Sequence, residues 1–185
     1  MLTIRRRTFL MMALLLPPSV ALAADPDPLA EAMGALAREK SAAEQYAVVL
    51  ATVGKKDMTT YLRGISLYAD AKAEFDGLIA QLATGLREGR DPTTSEAFKQ
   101  ALQRAAEKRI AFTSFVTNDV IGKSEGAKPG LPALIVAAPE LIKAITDSGL
   151  SIWTMFHKVG KQKQDEILGD LEHLKWDSFA KLAPN

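Results

Sequence analysis

Apolar residues recur at alternating steps of three and four along most of this chain, which is the spacing of amphipathic α-helices. The first such stripe begins at Leu29 and ends near Gly54. The second follows Asp57, whose carboxylate can cap a helix N-terminus, and it reaches Leu86. Only the residues from Lys55 to Asp57 connect the two stripes, and so short a connection predicts antiparallel neighbours.

A third helical stripe follows a break at residues 89–92. Thr93 and Glu96 have the spacing of a capping box, and the stripe that they introduce ends near Gly122. Gly and Pro residues are concentrated in the next eleven positions, and they predict an irregular crossover loop at about 122–132.

The remaining pattern predicts two more helices. An apolar run at 131–138 leads into a fourth helix that reaches Phe156, with Pro139 in its first turn. Gly160 separates it from a final amphipathic helix over about 162–182. No segment alternates as a strand would, so the expected fold is all-α, an up-down helical bundle of four to five helices.

The first 23 residues have the composition of an export signal. Three arginines precede an apolar run over 9–16, and small residues at Ala21 and Ala23 suit a cleavage site. The apolar run is too short to cross a bilayer. We therefore expect 1–23 to be a cleavable signal and 24–185 to form a single domain, which would be periplasmic or extracellular after cleavage near Ala23.

Within this leader, the residues from Arg6 to Leu10, RRTFL, resemble the core of a twin-arginine signal. Arg5 and Met11 stand where that family usually has a Ser or Thr and a Lys. The resemblance implies export of the folded protein, a route linked to cofactor-containing or fast-folding cargo. An ordinary secretion signal rich in arginine is the alternative interpretation.

Composition excludes several classes of chemistry. The chain has no cysteine, which rules out disulfides, thiol catalysis, thiolate metal sites and covalent haem attachment. The leader holds three of the 23 basic residues, which leaves 20 basic residues against 22 acidic ones over 24–185. This nearly balanced charge gives no indication of a nucleic-acid partner. The sequence implies no cofactor.

Basic residues interrupt the apolar stripes near the middle of the first three predicted helices. Lys40, Lys72 and Arg109 would lie at one level of an up-down-up arrangement, with hydroxyl groups of Tyr61 and Tyr68 beside them. A charge on a core seam is costly unless it is paired or serves a ligand. The pattern therefore predicts a site for a small anionic ligand, such as a carboxylate or phosphate.

Simpler interpretations of these bases are available. Their long stems can lie along the edge of each stripe while the charged heads reach water. Alternatively, Glu44 and Asp76, each one helical turn further on, can pair with Lys40 and Lys72.

A second set of candidates lies on the final predicted helix. Glu166, Asp170, His173 and Asp177 share one helical face, and their oxygen and nitrogen atoms suit a divalent metal. A ferritin-like dinuclear site would need a second carboxylate–His pair, and no carboxylate stands three residues before His157. A solvated polar face is the alternative.

Aromatic residues near the C-terminus suggest a third kind of contact. Trp153 and Phe156 lie three residues apart, between the apolar run at 131–138 and a group of lysines. Such pairs are typical of core packing. The whole stretch 131–163 would also suit a helix that meets a membrane surface or a partner protein.

The sequence offers no catalytic constellation. His157 and His173 are its only histidines, and it contains no Gly-x-Ser-x-Gly elbow. The expected function is an exported, non-catalytic helical bundle that binds a partner protein or a small ligand as an inhibitor, chaperone or accessory subunit. A metal- or anion-binding protein and a membrane-surface protein are the alternatives.

Overall fold

The computed structural model describes residues 27–53, 56–122 and 138–183. Its helices are α1 (Pro28–Val53), α2 (Met58–Arg87), α3 (Glu96–Phe115), α4 (Ala138–Phe156), α5 (Lys161–His173) and α6 (Phe179–Leu182). A 3₁₀ turn (Pro92–Thr94) precedes α3 and a π-helical turn (Val116–Ile121) follows it. These ranges contain no strand, so the expected all-α helical bundle is confirmed.

The N-terminus of α2 is capped as predicted. Asp57 has an extended backbone, and its Oδ1 accepts the backbone N–H groups of Thr59 at 3.0 Å and Thr60 at 3.3 Å. These are N–H groups that the first helical turn cannot satisfy internally. The cap therefore fixes where α2 begins after its short connection to α1.

The start of α3 differs from the predicted capping box. Thr93 lies inside the 3₁₀ turn, where its backbone N–H donates to Asp91 Oδ1 at 2.9 Å. The cap of α3 is Ser95, whose Oγ accepts the backbone N–H of Phe98 at 3.1 Å. Two caps occur in succession because Ser95 has an extended backbone that separates the turn from the helix.

The single final helix predicted over 162–182 is wrong. α5 ends at His173, and α6 begins only at Phe179. The intervening chain donates backbone N–H groups to carboxylates of α1 and α2 instead of continuing the helix. These long-range acceptors have no signature in the local sequence.

Other predictions fall partly or wholly outside the described residues. Helical structure continues from α3 through the π-helical turn to a break at Gly122, as expected. The leader 1–23 and most of the crossover loop at 122–132 lie outside the described residues, and so does the apolar run up to residue 137.

The long helices pack mainly in two pairs, α2 with α3 and α1 with α4. The predicted contact between α1 and α2 is small by comparison. The two helices come very close at one point, since a Cβ atom on Gly64 would overlap the side chain of Leu50. The fully buried core includes Leu36, Leu50, Tyr68, Ile79, Phe98, Phe112 and Ile152. The α1–α4 pairing creates the cleft described below.

Candidate functional site

Lys40 binds the protein's own C-terminal segment. Its Nζ donates to the backbone carbonyl oxygens of His173 at 3.1 Å and Lys175 at 2.8 Å. The same Nζ lies 3.7 Å from Glu44 Oε1 and 3.9 Å from Asp177 Oδ2. Lys40 therefore supplies hydrogen-bond donors to backbone carbonyl oxygens at the C-terminal end of α5. The helix dipole makes this end a favourable position for positive charge.

Lys72 also belongs to this network. It forms an ion pair with Asp76, whose Oδ1 accepts the backbone N–H of Trp176 at 2.9 Å. Glu44 Oε1 accepts the backbone N–H of Asp177 at 2.8 Å. We call residues 173–177, together with the side chains that hold them, the C-terminal clasp. Within it, Glu44 pairs with Lys40 and Asp76 pairs with Lys72, as the alternative interpretation of these bases predicted.

The two tyrosines pack against the C-terminal part of the chain. The Tyr68 hydroxyl donates to the backbone oxygen of Asp177 at 2.7 Å, and its ring stacks on Trp176 at a centroid distance of 5.7 Å. Burial raises the pKa of Tyr68 well above its usual range, and the nearby carboxylates, Glu44 first, raise it further. Tyr61 is half-buried and meets the edge of Phe179 at 5.9 Å.

Arg109 is the third base of the predicted site. It lies on α3 in the protein core, apart from the C-terminal clasp. It is 2% exposed, and its Nη2 is 3.0 Å from Glu39 Oε2 of α1. No hydrogen bond joins the two groups despite this short distance. Within the described part of the chain, Arg109 Nε, Nη1 and Nη2 and Glu39 Oε2 therefore have no hydrogen-bond partner.

The structure thus divides the predicted anion site. Lys40, Lys72 and Tyr68 hold the C-terminal clasp, whereas Arg109 meets Glu39 on another side of α1. Sequence reasoning missed Glu39 because it lies beside Lys40 at the edge of the predicted stripe.

Two neighbouring cavities open between α1 and α4, close to this buried pair. The inner cavity, of about 110 Å³, is lined by Leu36, Glu39 and Ile145 among others. The outer cavity, of about 290 Å³, extends past Glu31 and Ser151. The two share a wall formed by Ala35, Arg38, Ala144 and Ser148. We refer to both together as the α1–α4 cleft.

The polar groups of this cleft differ in how far they are already satisfied. Ser148 is buried and donates its hydroxyl to the backbone oxygen of Ala144 at 2.8 Å. Asp147 forms an ion pair with Lys143 at 2.6 Å. The guanidinium of Arg38 has neither a hydrogen bond nor an ion pair with any described residue. Arg38 and Ser148 are functional candidates that the sequence prediction did not include.

A larger groove of about 510 Å³ lies where α2 meets the start of α3. Most of its polar side chains are already engaged: Asp91 and Ser95 cap helical turns, and Glu88 pairs with Arg90. Because these groups serve local structure, the α1–α4 cleft has the stronger case as a binding site despite its smaller volume.

The proposed metal ligands on α5 do not converge. Glu166 forms an ion pair with Lys163 at 2.9 Å, and Asp170 and His173 are exposed. The described ranges contain no group of three or more His, Asp or Glu side chains placed to hold a metal ion. This geometry gives the metal-site interpretation no support and fits a solvated polar face.

The aromatic residues of α4 lie against the bundle. Phe156 is buried in the core, which removes it from any membrane or partner contact in this structure. Trp153 is half-buried and packs on the ring of His157 at a centroid distance of 3.8 Å. None of the described helices is both long enough and apolar enough to span a bilayer.

Fold and cavities together define the molecule as an all-α helical bundle with a polar cleft between α1 and α4. Comparisons with protein-family models, curated proteins and solved structures find no match to this chain.

Proposed function

We propose that this protein is an exported, non-catalytic helical bundle that binds a small polar ligand in the α1–α4 cleft. The observation that carries the proposal is the buried pair of Arg109 and Glu39, whose polar atoms lack hydrogen-bond partners among the described residues. Glu39 also lines the inner cavity, so there is space for a missing partner directly beside it.

Leaving this pair incomplete would be energetically costly. A buried polar atom without a hydrogen bond costs about 1–3 kcal/mol, and a charged group costs more. Folded proteins satisfy nearly all such atoms with protein groups, ordered water or ligands. Of the four atoms of the pair left unsatisfied within the described ranges, Glu39 Oε2 belongs to a residue that lines the inner cavity, whereas Arg109 lines neither cavity. A polar occupant of the inner cavity is therefore expected at Glu39.

The dimensions of the cleft select the class of occupant. Pockets for drug-sized ligands measure roughly 300–1,000 Å³. The outer cavity of about 290 Å³ and its smaller neighbour therefore suit a small metabolite, not a folded domain. The cleft contains cationic and anionic groups together, in contrast to the purely cationic site expected from the sequence.

The leader supports the exported location of this binding protein. Its arginines, apolar run and small residues before Ala24 have the order of a cleavable signal. An extracytoplasmic helical bundle that carries a small molecule would fit export in the folded state, which the twin-arginine resemblance implies.

Native mass spectrometry of the protein purified from its own exporting cell tests both parts of the proposal. We expect the denatured chain to have the mass of residues 24–185. The native protein should carry an additional small-molecule mass that is lost on denaturation. An additional mass as large as a protein chain would favour the partner-protein alternative instead.

A filled cavity then locates the ligand. Ala35→Leu places a larger side chain in the wall that both cavities share, and it should abolish the additional mass. Ala73→Leu makes the same change at an exposed position of α2 and should retain it. A native mass equal to that of the bare chain, or equal retention in both variants, would contradict the proposal.

A further inference from the structure

The α1–α4 cleft presents groups of opposite charge that face different directions. Glu39 points inward to the buried Arg109 and lines only the inner cavity. Arg38, the next residue toward the N-terminus, lines both cavities. A Cβ atom on Gly34 would lie 3.6 Å from Arg38 Nη1, so the guanidinium folds back along α1 toward the N-terminus of the helix. A ligand that spans the shared wall therefore meets both charges.

The inner cavity favours a hydrogen-bond donor. Glu39 Oε2 is buried and accepts no hydrogen bond from the described residues. Ser148 donates its hydroxyl proton to Ala144, which leaves the lone pairs of its Oγ available as acceptors. Leu36 and Ile145 provide apolar walls around these oxygens. An ammonium group on a short carbon chain satisfies both requirements.

The outer side of the shared wall favours an anion. Arg38 carries a planar guanidinium that can hold a carboxylate through two parallel hydrogen bonds. It makes no competing ion pair among the described side chains. Ser151 adds a hydroxyl group to the same cavity.

The remaining charges oppose a ligand that is only anionic. Glu31 lines the outer cavity, and it forms no ion pair with any residue that the structure describes. Asp147 in the same cavity is already paired with Lys143, and Arg109 is paired with Glu39. The charges around the cleft are therefore close to balanced, which suits a ligand that itself has no net charge.

We propose that the ligand is a small zwitterion, a free amino acid or an ω-amino acid. Its ammonium group binds Glu39 and Ser148 in the inner cavity, and its carboxylate binds Arg38. This inference rests on the proposed function, because it assigns the chemical class of the ligand in the same cleft. It adds the requirement that one molecule carries both charges.

Titration calorimetry with matched probes tests the requirement for both charges. The protein is purified from its exporting cell, dialysed and titrated with glycine, β-alanine and 4-aminobutanoate, which place the two charges progressively further apart. Butylamine and butanoate each retain one charged group of 4-aminobutanoate. We expect one zwitterion to bind about tenfold or more tightly than either singly charged probe.

Three substitutions assign the contacts. Arg38→Gln should weaken zwitterion binding by about tenfold or more and leave butylamine binding unchanged. Glu39→Gln should weaken the binding of every probe with an ammonium group. Because Glu39→Gln also disturbs the buried pair with Arg109, Ser148→Ala provides a second test of the inner contact. Arg104→Gln, an exposed arginine of α3 outside the cleft, is the matched control and should bind like the unmodified protein.

The possible results separate this inference from the proposed function. Butanoate binding as tightly as the zwitterions, or butylamine binding that ignores Glu39 and Ser148, would overturn the assignment of a zwitterion. Failure of every probe to bind would also overturn it. The proposed function would still stand if the native protein carries a small-molecule mass that Ala35→Leu removes. Without that mass, both proposals fail together.

Discussion

Arg109 is a buried charge held by a partner with which it is poorly aligned. Its Nη2 lies 3.0 Å from Glu39 Oε2, yet neither atom has a hydrogen bond with the described residues. Bringing two such charges out of water is expensive, and the penalty is offset only when geometry and additional hydrogen bonds are good. The pair therefore contributes less to folding than its short distance suggests.

Removing Arg109 alone should destabilise the protein strongly. Arg109→Met leaves the Glu39 carboxylate buried without its counter-ion, and breaking a buried pair in this way costs about 3–5 kcal/mol. Urea unfolding of the two proteins, followed by circular dichroism, measures the loss in the free energy of unfolding.

Two further variants show whether that loss comes from the buried charge. Replacing both partners, Arg109→Met with Glu39→Leu, should restore most of the stability. Arg104 and Glu74 form a comparable pair between helices, with 3.1 Å between Nε and Oε2, on the exposed surface. Arg104→Met should cost less than about 1 kcal/mol. Equal costs for Arg104→Met and Arg109→Met would mean that the core guanidinium reaches water, which would weaken the case for a ligand.

At the scale of single residues, the sequence identified Arg109 as unusual but did not identify Glu39 or Ser148. Arg109 stands out because it interrupts an apolar stripe, and its burial could be anticipated. Its approach to Glu39 depends on a rotation of α1 by about one residue, which periodicity cannot resolve. Ser148 was visible in principle, since it occupies a position of the buried face of α4 between Ile145 and Ile152.

At the scale of helices, the C-terminal clasp explains why α5 and α6 are separate. The backbone N–H groups of Trp176 and Asp177 bind carboxylates of Asp76 and Glu44, while Lys40 binds carbonyl oxygens at the end of α5. These contacts satisfy backbone groups that would otherwise require another helical turn. The ring of Trp176 then fills the space beside Tyr68 in the core.

Asp76→Ala should loosen the clasp. The change removes the acceptor of the Trp176 N–H and the partner of Lys72, so we expect a loss of about 1–3 kcal/mol in the free energy of unfolding. Amide hydrogen exchange should become faster over residues 174–182 and change little in α3.

A surface carboxylate of the same helix provides the control for this prediction. Asp70 pairs with Lys108 at 3.2 Å across the exposed side of α2 and α3. Asp70→Ala should leave exchange over 174–182 unchanged and cost less than about 1 kcal/mol. Undiminished protection of 174–182 in Asp76→Ala would mean that the clasp does not depend on this carboxylate.

Helices were easier to predict than the places where they stop. The Asp57 cap and the end near Gly122 follow from local chemistry, so the sequence identified both. The end of α5 depends on carboxylates that lie 100 and 133 positions before the backbone N–H groups they accept, and its continuous amphipathic pattern concealed the break. The start of α3 was displaced from Thr93 to Ser95, which is the usual error when two capping residues lie close together.

For the whole molecule, the candidate site arises from an arrangement that no local motif encodes. The cleft lies between α1 and α4. Glu39, which lines its inner cavity, forms an ion pair with Arg109 of α3. The short loop predicted that the first two helices would be antiparallel neighbours. It did not predict that α1 would pack mainly on α4. The class of fold was therefore accessible from the sequence, and the cleft was not.

Tyr68 connects the core and the C-terminal clasp, and it makes the stability of the whole molecule sensitive to alkaline pH. Its folded-state pKa is raised, first by burial and then by Glu44, Asp177 and Asp76. The stability from neutral, buried Tyr68 is complete below the unfolded pKa of about 10. It is lost progressively as pH rises above that value, because only the unfolded state ionises readily.

Tyr68→Phe therefore has opposite consequences in two pH ranges. Near pH 8 it should reduce the free energy of unfolding by about 1 kcal/mol, because the hydrogen bond to the backbone oxygen of Asp177 is lost. Above pH 10 its stability should decline less steeply than that of the unmodified protein. Tyr61→Phe is the control, since Tyr61 is half-buried and its hydroxyl makes no hydrogen bond with the described residues. Parallel alkaline declines for Tyr68→Phe and the unmodified protein would show that Tyr68 does not determine this limit, because its ionisation is the step that the substitution removes.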